Sequence, residues 1–305
     1  MAQGKFFNWF LFIILSIIWG SSFILMKEGL VSLSAYQVAS LRIIFSAMVL
    51  LPTAIKNLRT IPRNRLGLVC LSGVLGSLLP AYLFCIAEEK LDSSLAGTLN
   101  SLTPIFVLLI GVIFFQQKIA WQKIAGITLA FTGTVLLFVL MPRGSDNYDY
   151  FSVVLIIIAT ICYGINVNMV HKYLLHLPSL HIAAVGLSSN ALPALVVLFF
   201  TGFFQMDFTT SSILLSIGAT AILGILGTAL ASILFYVLIK RAGPVFSSMV
   251  TYCIPIVAIF WGIIYGEAVG WIQVLCLLII LAGVYIANRK RKTTASEKGG
   301  VLAKV

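Results

Sequence analysis

The sequence predicts an all-α integral membrane protein with ten transmembrane helices, arranged as two inverted five-helix repeats with both termini in the cytoplasm. Three observations support this fold class: the composition, the spacing of the apolar segments and the placement of the basic residues. Of the 305 residues, 60% are hydrophobic and only 10% are charged, whereas a soluble domain carries roughly 25% charged residues. Lipid must therefore be the solvent for most of the chain.

Ten apolar segments follow one another, each bounded by charged or turn-forming residues. They lie at residues 6–26, 34–53, 66–87, 93–115, 120–141, 151–171, 180–203, 213–236, 244–265 and 270–288. Segments of about 20 apolar residues are long enough to cross a bilayer as helices, and helices satisfy their own backbone hydrogen bonds in lipid. Because the first segment is longer than the core of a cleaved signal peptide, we expect it to remain as the first helix.

Basic residues orient these helices. With the N-terminus placed in the cytoplasm, 16 of the 20 Lys and Arg residues fall on the cytoplasmic side and 3 on the outer side, while Arg42 lies within a span. This bias follows the positive-inside rule, and it agrees with an even number of helices. The net charge of +11 is explained in this way, so we do not predict nucleic-acid binding.

The chain is also an internal duplication. A shift of 151 residues places residues 73–77 (GVLGS) on residues 224–228 (GILGT), Phe84 on Phe235 and Pro104 on Pro255. Near the start, a shift of 144 residues places Trp19 on Tyr163. Each half holds five predicted helices, and because five is odd, the second half enters the membrane from the opposite side.

The duplication sets the predicted domain boundaries. The first repeat covers residues 5–141, an extracytoplasmic linker residues 142–150, the second repeat residues 151–289, and a basic cytoplasmic tail residues 290–305. Inverted repeats are characteristic of transporters, because they let one chain open a central site to either side of the membrane.

Short motifs occur in order along both halves. They are Trp19-Gly20-Ser21-Ser22-Phe23 followed by Lys27, Leu41-Arg42, Thr103-Pro104, Ile254-Pro255 and Gly266-Glu267. Together they resemble the motifs of EamA-type drug/metabolite transporters, and the resemblance covers residues 6–288. It implies a ten-helix carrier that exports amino acids, drugs or other metabolites from a bacterial inner membrane, the plasma membrane of such a cell. The first half departs from the pattern, since Gln116 stands where the second half has Glu267.

Polar and aromatic residues at membrane depth are the candidates for a substrate site. Pro104 and Pro255 each lie about eleven residues into their segments, and proline removes a backbone donor and frees a carbonyl. Each proline is either a helix kink that neighbouring helices satisfy or part of a cavity wall. The candidate substrate-binding residues are Trp19, Ser22, Arg42, Tyr82, Asn100, Thr103, Tyr163, Asn166 and Tyr252.

Two of these candidates keep alternative interpretations open. An arginine at the depth of Arg42 must reach the interface, pair, or face water, so it either packs against carbonyl groups or holds an anionic group of the substrate. An amide in lipid needs a partner, so Asn166 either bonds a neighbouring helix or contacts the substrate. Asn166 and Tyr163 are three residues apart and share a helix face.

Energy coupling has one candidate, Glu267, because it matches the family's Gly-Glu and follows a proline-broken helix. The alternative is a glutamate at the interface that only ends the helix. We therefore expect facilitated transport or weak coupling to protons.

The remaining features exclude several other functions. The five cysteines fall within apolar segments without a C-x-x-C pair, so they are interpreted as packing residues, and we predict neither a metal site nor a cofactor. No nucleotide-binding loop is found, and no catalytic constellation lies at membrane depth. We predict a secondary transporter, an exporter that works by alternating access. Its partners are membrane lipids and a small metabolite such as an amino acid, with no obligate protein partner. The alternatives are a channel or an intramembrane enzyme.

Overall fold

The computed structural model describes residues 2–91, 93–140, 149–264 and 270–288, and the regular structure in these ranges is helical. The predicted coupling residue Glu267, part of the predicted linker and the basic tail lie outside the described residues.

The first half of the chain contains seven α-helices in its described residues. They are α1 (Ala2–Leu30), α2 (Ala35–Asn57), α3 (Arg63–Gly73), α4 (Leu79–Glu88), α5 (Ser93–Asn100), α6 (Thr103–Ile113) and α7 (Trp121–Leu140). A π-helical stretch, Val74–Leu78, joins α3 to α4, so that the three segments follow one another as one continuous helix. Ser34 caps the N-terminus of α2 with a capping box. Its hydroxyl accepts a hydrogen bond from the backbone N–H of Gln37, and the side-chain oxygen of Gln37 accepts one from the backbone N–H of Ser34.

The described residues of the second half form eight further α-helices. They are α8 (Tyr150–Tyr173), α9 (Ser179–Ser188), α10 (Ala191–Phe200), α11 (Ser211–Ile222), α12 (Ala231–Ala242), α13 (Pro244–Ser248), α14 (Ile254–Ile264) and α15 (Trp271–Asn288). A second π-helical stretch, Leu223–Leu230, joins α11 to α12. A 3-10 stretch, Met249–Cys253, joins α13 to α14.

Seven helical stretches of the described residues are long and apolar enough to cross a membrane. They are Gly4–Leu30, Ala35–Thr60, Arg63–Glu88, Leu95–Ile113, Tyr150–Tyr173, Ser179–Phe200 and Ser211–Ala242. Two shorter apolar helices, Pro244–Val257 and Val274–Asn288, accompany them. The chain is thus an all-helical, multi-pass membrane protein, whereas ten spans and the orientation of the termini stay predictions.

Helix irregularities occur at matching places in the two halves. The two π-helical stretches overlap when the chain is shifted by 151 residues, as the GVLGS and GILGT sequences do. Neither proline lies at a kink inside a longer helix. Pro104 lies in the first turn of α6, which begins at Thr103 after α5 has ended at Asn100. Pro255 lies in the first turn of α14, which begins at Ile254 after the 3-10 stretch. Proline needs no backbone donor in the first turn of a helix, so both prolines begin a helix.

Close helix contacts show how the two halves pack together. A Cβ atom on Gly73 of α3 would overlap the carbonyl oxygen of Gly186 in α9, and one on Gly224 would lie 2.6 Å from the carbonyl oxygen of Arg42 in α2. The duplication relates these contacts, because Gly73 corresponds to Gly224 and Arg42 to Gly186. Each half therefore offers the same surface to the other, as in an isologous interface.

The last helices of the two halves, α7 and α15, pack along one another. A Cβ atom on Gly126 would lie 2.6 Å from the carbonyl oxygen of Gly283, and one on Gly133 would lie 2.9 Å from the side chain of Ile280. Small residues at such a seam let membrane helices approach closely. The hydroxyl of Tyr252 donates to the carbonyl oxygen of Ile127 at 3.1 Å, which ties α7 to the 3-10 stretch.

Candidate functional site

A central cavity lies between the two halves. The π-helical stretches, the helices α1, α2, α4, α8 and α12, and the helix ends around both prolines supply its wall. The volume that the centre of a water molecule can occupy in the cavity is about 100 Å³, and a single bound water needs roughly 10–15 Å³ of such volume. The cavity therefore has room for several waters or a compact solute.

Aromatic residues line the cavity in equivalent pairs from the two halves. The Trp19 and Phe235 rings lie 4.8 Å apart, and the Phe84 and Tyr163 rings 6.2 Å apart. The same shifts of 144 and 151 residues that relate the sequences convert the second pair into the first. The indole of Trp19 also donates to the carbonyl oxygen of Gly227 at 3.1 Å. These rings give the cavity two apolar walls, one from each pair.

Two glycines make space for polar side chains of the opposite half. A Cβ atom on Gly76 would overlap the side-chain nitrogen of Asn166, with the Tyr236 hydroxyl 3.2 Å away. A Cβ atom on Gly227 would lie 2.7 Å from the hydroxyl of Ser22. Gly76 corresponds to Gly227, and Asn166 to Ser22, so these two contacts are equivalent as well.

The helix breaks before the prolines add further polar groups to the wall. Thr103 donates to the side-chain oxygen of Asn100 at 3.2 Å. In the second half the equivalent of Asn100 is Thr251, whose hydroxyl donates to the carbonyl oxygen of Ser248 at 3.0 Å. Each break therefore presents hydroxyl or amide groups to the cavity at the point where the backbone leaves the α-helix.

Arg42 has no charged equivalent in the second half, because the residue that corresponds to it is Gly186. Its Nε and Nη2 groups donate to the Thr228 hydroxyl at 3.3 and 3.2 Å, and its Nη1 group approaches the Met26 sulfur at 3.9 Å. No carboxylate among residues 2–91, 93–140, 149–264 and 270–288 forms an ion pair with it. The cavity thus contains a positive charge on one of its two equivalent sides.

Two buried polar atoms of cavity-wall residues have no hydrogen-bond partner among the residues that the structure describes. They are the side-chain oxygen of Asn166 and the hydroxyl of Ser77, whose residues are 3% and 5% exposed. Buried polar atoms of this kind are rare in proteins and call for a specific partner. Both residues belong to the cavity wall, and both atoms are buried within it.

The structure brings seven of the nine predicted residues together in this wall: Trp19, Ser22, Arg42, Asn100, Thr103, Tyr163 and Asn166. It places the other two elsewhere, because their hydroxyls bond within the helix packing. Tyr82 pairs with the Ser40 hydroxyl at 2.7 Å, and Tyr252 is fully buried against Ile127.

Sequence reasoning did not propose several residues of the wall. Phe84, Phe235 and Thr228 belong to stretches that the duplication aligns, and this alignment could have predicted that they line the cavity. Met26 and Tyr236 carry no comparable signal, since their equivalents in the other half are different residues.

Comparison with known proteins decides the family. The sequence model of the EamA-like transporter family matches residues 7–139 and again residues 150–289. The chain belongs to this family. The resemblance that the motifs predicted is confirmed, and the EamA match in two copies agrees with the duplicated contacts around the cavity.

Relatives of this EamA-family chain are similar along almost their whole length. An uncharacterized transporter of Archaeoglobus fulgidus is 24% identical, with 93% of this chain and 99% of the relative covered. A "Probable terminal-alkyne amino-acid exporter" of Streptantibioticus cattleyicolor is 24% identical, with 92% and 94% covered. An S-adenosylmethionine/S-adenosylhomocysteine transporter of Chlamydia muridarum is 23% identical, with 88% and 90% covered.

A solved crystal structure shares the fold. It has a TM-score of 0.71 and 13% sequence identity, and the match covers 92% of this chain and 95% of the other. The chain is therefore a membrane transporter of the EamA family with a fold that is known experimentally.

Proposed function

We propose that this chain is a secondary carrier that exports a small amino-acid-like metabolite across the plasma membrane by alternating access. The observation that carries the proposal is the set of equivalent contacts around one cavity. Two halves that offer each other the same surface have two arrangements of similar energy, and exchanging them opens the central site to the other side.

The close glycine contacts suit such a movement. Backbone meets backbone where Gly73 faces Gly186 and where Gly224 faces Arg42, and the Cβ atom of Phe45 also lies beside Gly224. Helices in contact through small residues can slide by short distances while they stay packed. We propose that these two seams are where one half moves against the other.

The substrate class is supported by the cavity and by the relatives. The cavity combines two aromatic pairs with amide, hydroxyl and guanidinium groups, which suits an amphipathic metabolite. One relative is named for exporting an amino acid and another for transporting S-adenosylmethionine. Both molecules contain an amino-acid moiety, and the first name gives the direction that we propose here.

The energy source follows from the ionisable groups. We propose facilitated transport or weak proton coupling, with Glu267 as the residue to test for coupling. Within the spans of the described residues, Arg42 is the charged group in the cavity wall, and an arginine does not release its proton.

Counterflow in liposomes tests the carrier. Purified protein is reconstituted in vesicles loaded with unlabelled amino acids, and uptake of each labelled amino acid is measured against empty vesicles. A carrier takes up label faster when the inside is loaded, and its rate saturates. A rate that rises linearly with concentration and ignores the internal load would identify a channel and refute the proposal.

A further inference from the structure

We propose that the cavity recognises its substrate through a carboxylate, which binds the Arg42 guanidinium and the Thr228 hydroxyl. This inference rests on the proposed function and names the chemical group by which the carrier selects its substrate. It also fixes the substrate's orientation, because the two residues come from opposite halves and their equivalents carry no charge.

Arg42 has only neutral hydrogen-bond partners among the described residues. A guanidinium has five N–H donors, and its partners here are the Thr228 hydroxyl, the Met26 sulfur and the Cys85 thiol. None of the three carries a negative charge. Arg42 lies seven residues after the start of α2, or about 10 Å along the helix axis. A charge at that depth requires a counter-charge or water.

Glu88, at the end of α4, is an acidic group on whose charge Arg42 and Lys27 act. One of its carboxylate oxygens accepts from the Ser93 hydroxyl at 3.3 Å, and the other has no hydrogen-bond partner among the described residues. Glu88 therefore forms no hydrogen bond with the guanidinium, and Arg42 lines the cavity, where a bound anion can approach it.

The two equivalent sides of the cavity differ in charge. The equivalent of Arg42 is Gly186, and the equivalent of Thr228 is Ser77, whose buried hydroxyl has no partner among the described residues. One side of the cavity wall thus contains a positive charge, whereas the other contains the neutral side chains of Ser77 and Asn166. A substrate carboxylate is therefore attracted to one side of the cavity, which fixes the orientation of the substrate.

The geometry of a carboxylate suits these donors. Arginine binds carboxylates through two parallel N–H groups, and such charge-assisted bonds are about twice as strong as neutral ones. A hydrogen bond to a charged group contributes about 1.5–3 kcal/mol, so replacing the carboxylate by an amide weakens binding by about 10- to 100-fold.

The test compares acids with their amides. Purified protein is titrated with each of the twenty common amino acids and with the primary carboxamide of each, and thermal stabilisation gives the dissociation constants. We expect at least one acid to bind at least tenfold more tightly than its amide. Equal binding of acids and amides would overturn the proposal, as would binding of none of the acids.

Substitution of Arg42 separates recognition from a structural role. In Arg42→Gln the acid-to-amide ratio of dissociation constants should fall close to one, and Arg42→Lys should keep part of it. The matched control is Arg241→Gln, since Arg241 bonds Asn8 at 2.9 Å and stacks on Phe7 outside the cavity, and it should keep the full ratio. A merely structural Arg42 would lower the melting temperature and leave the ratio unchanged.

The outcome is distinguishable from failure of the carrier itself. If counterflow is seen with neutral or cationic metabolites and the acid-to-amide ratio is one, the carrier stands and the carboxylate assignment is wrong. If no extract of cell metabolites supports counterflow, the proposed function is wrong whatever the binding data show.

Discussion

Two glycines, Gly76 and Gly227, decide how closely a polar side chain of one half approaches the backbone of the other. Each faces the cavity, and each leaves no room for a Cβ atom beside its partner, Asn166 or Ser22. Membrane helices use such small residues for close approach. Here the approach also brings a polar group of each half to the cavity wall, so helix packing and the lining of the cavity depend on the same two residues.

Substitution of Gly76 by alanine tests that link. The added Cβ atom overlaps the Asn166 side chain, so Asn166 must leave its position, and we expect the transport rate per folded molecule to fall at least fivefold. Gly67→Ala is the matched control in α3, because nothing lies within 4 Å of its added Cβ atom. Normal counterflow in Gly76→Ala would show that the position of Asn166 does not matter for transport.

The two tyrosines that lie outside the cavity wall show what depth in the membrane does not decide. Depth in the membrane identified Asn166 and Arg42, but it identified Tyr82 and Tyr252 equally well. A tyrosine lines a cavity or packs inside depending on whether its hydroxyl finds a partner elsewhere. That partner is distant in the sequence, since Tyr252 bonds residue 127, so depth alone could not separate the two cases.

A comparison of Tyr252→Phe with Asn166→Ala checks this distinction. Tyr252→Phe removes a buried hydrogen bond and should lower the free energy of unfolding by about 1 kcal/mol, with transport per folded molecule unchanged. Asn166→Ala should lower transport at least fivefold and change thermal stability less. A strong transport defect in Tyr252→Phe would return that residue to the site.

Among the secondary-structure elements, the proline positions in the sequence predicted where helices are interrupted, whereas the type of helix could not be predicted. Pro104 and Pro255 predicted irregular helices, and the structure places helix starts there. The π-helical stretches at Val74–Leu78 and Leu223–Leu230 follow the same apolar pattern as the helices around them, so periodicity could not reveal them. Such π-helical insertions are frequent at functional sites, and both of these supply cavity residues.

The seams between helices give a prediction at this scale. In Gly73→Ala and Gly224→Ala the added Cβ atom meets backbone of the opposite half, which no side-chain rotation relieves. Overpacking of this kind costs about 1–3 kcal/mol, so both variants should melt at lower temperature, and Gly73→Ala should be the more affected because its added Cβ atom overlaps the Gly186 carbonyl oxygen. Gly218→Ala, with nothing within 4 Å, is the control and should melt no lower than the natural chain, because alanine favours the helix more than glycine does.

For the whole molecule, the duplication was readable in the sequence, but the faces that meet were not. The shifts of 144 and 151 residues predicted two similar halves. They did not predict that Gly73 would meet Gly186 while Gly224 meets Arg42, because a repeat can pack beside its copy in many ways. In the structure the same surface of each half contacts the other half, and the proposed alternating access requires such an arrangement.

Membrane orientation is a separate prediction for the whole molecule. The bias of basic residues toward one side predicts that a cysteine introduced at Phe208 reacts with an impermeant thiol reagent added outside intact cells. One at Asn57 should react only after the cells are opened. The opposite labelling at either position would contradict the inverted-repeat arrangement.

Alternating access is tested by measuring whether the cavity can be reached from each side of the membrane. Single cysteines are placed at Ser22 and Ser77, one from each half, in a transport-competent chain whose five natural cysteines are replaced. Impermeant thiol reagents are applied to vesicles from either side of the membrane. We predict that each cysteine reacts from both sides and that bound substrate slows both reactions. Reaction from one side alone, whatever the substrate present, would contradict alternating access through this cavity.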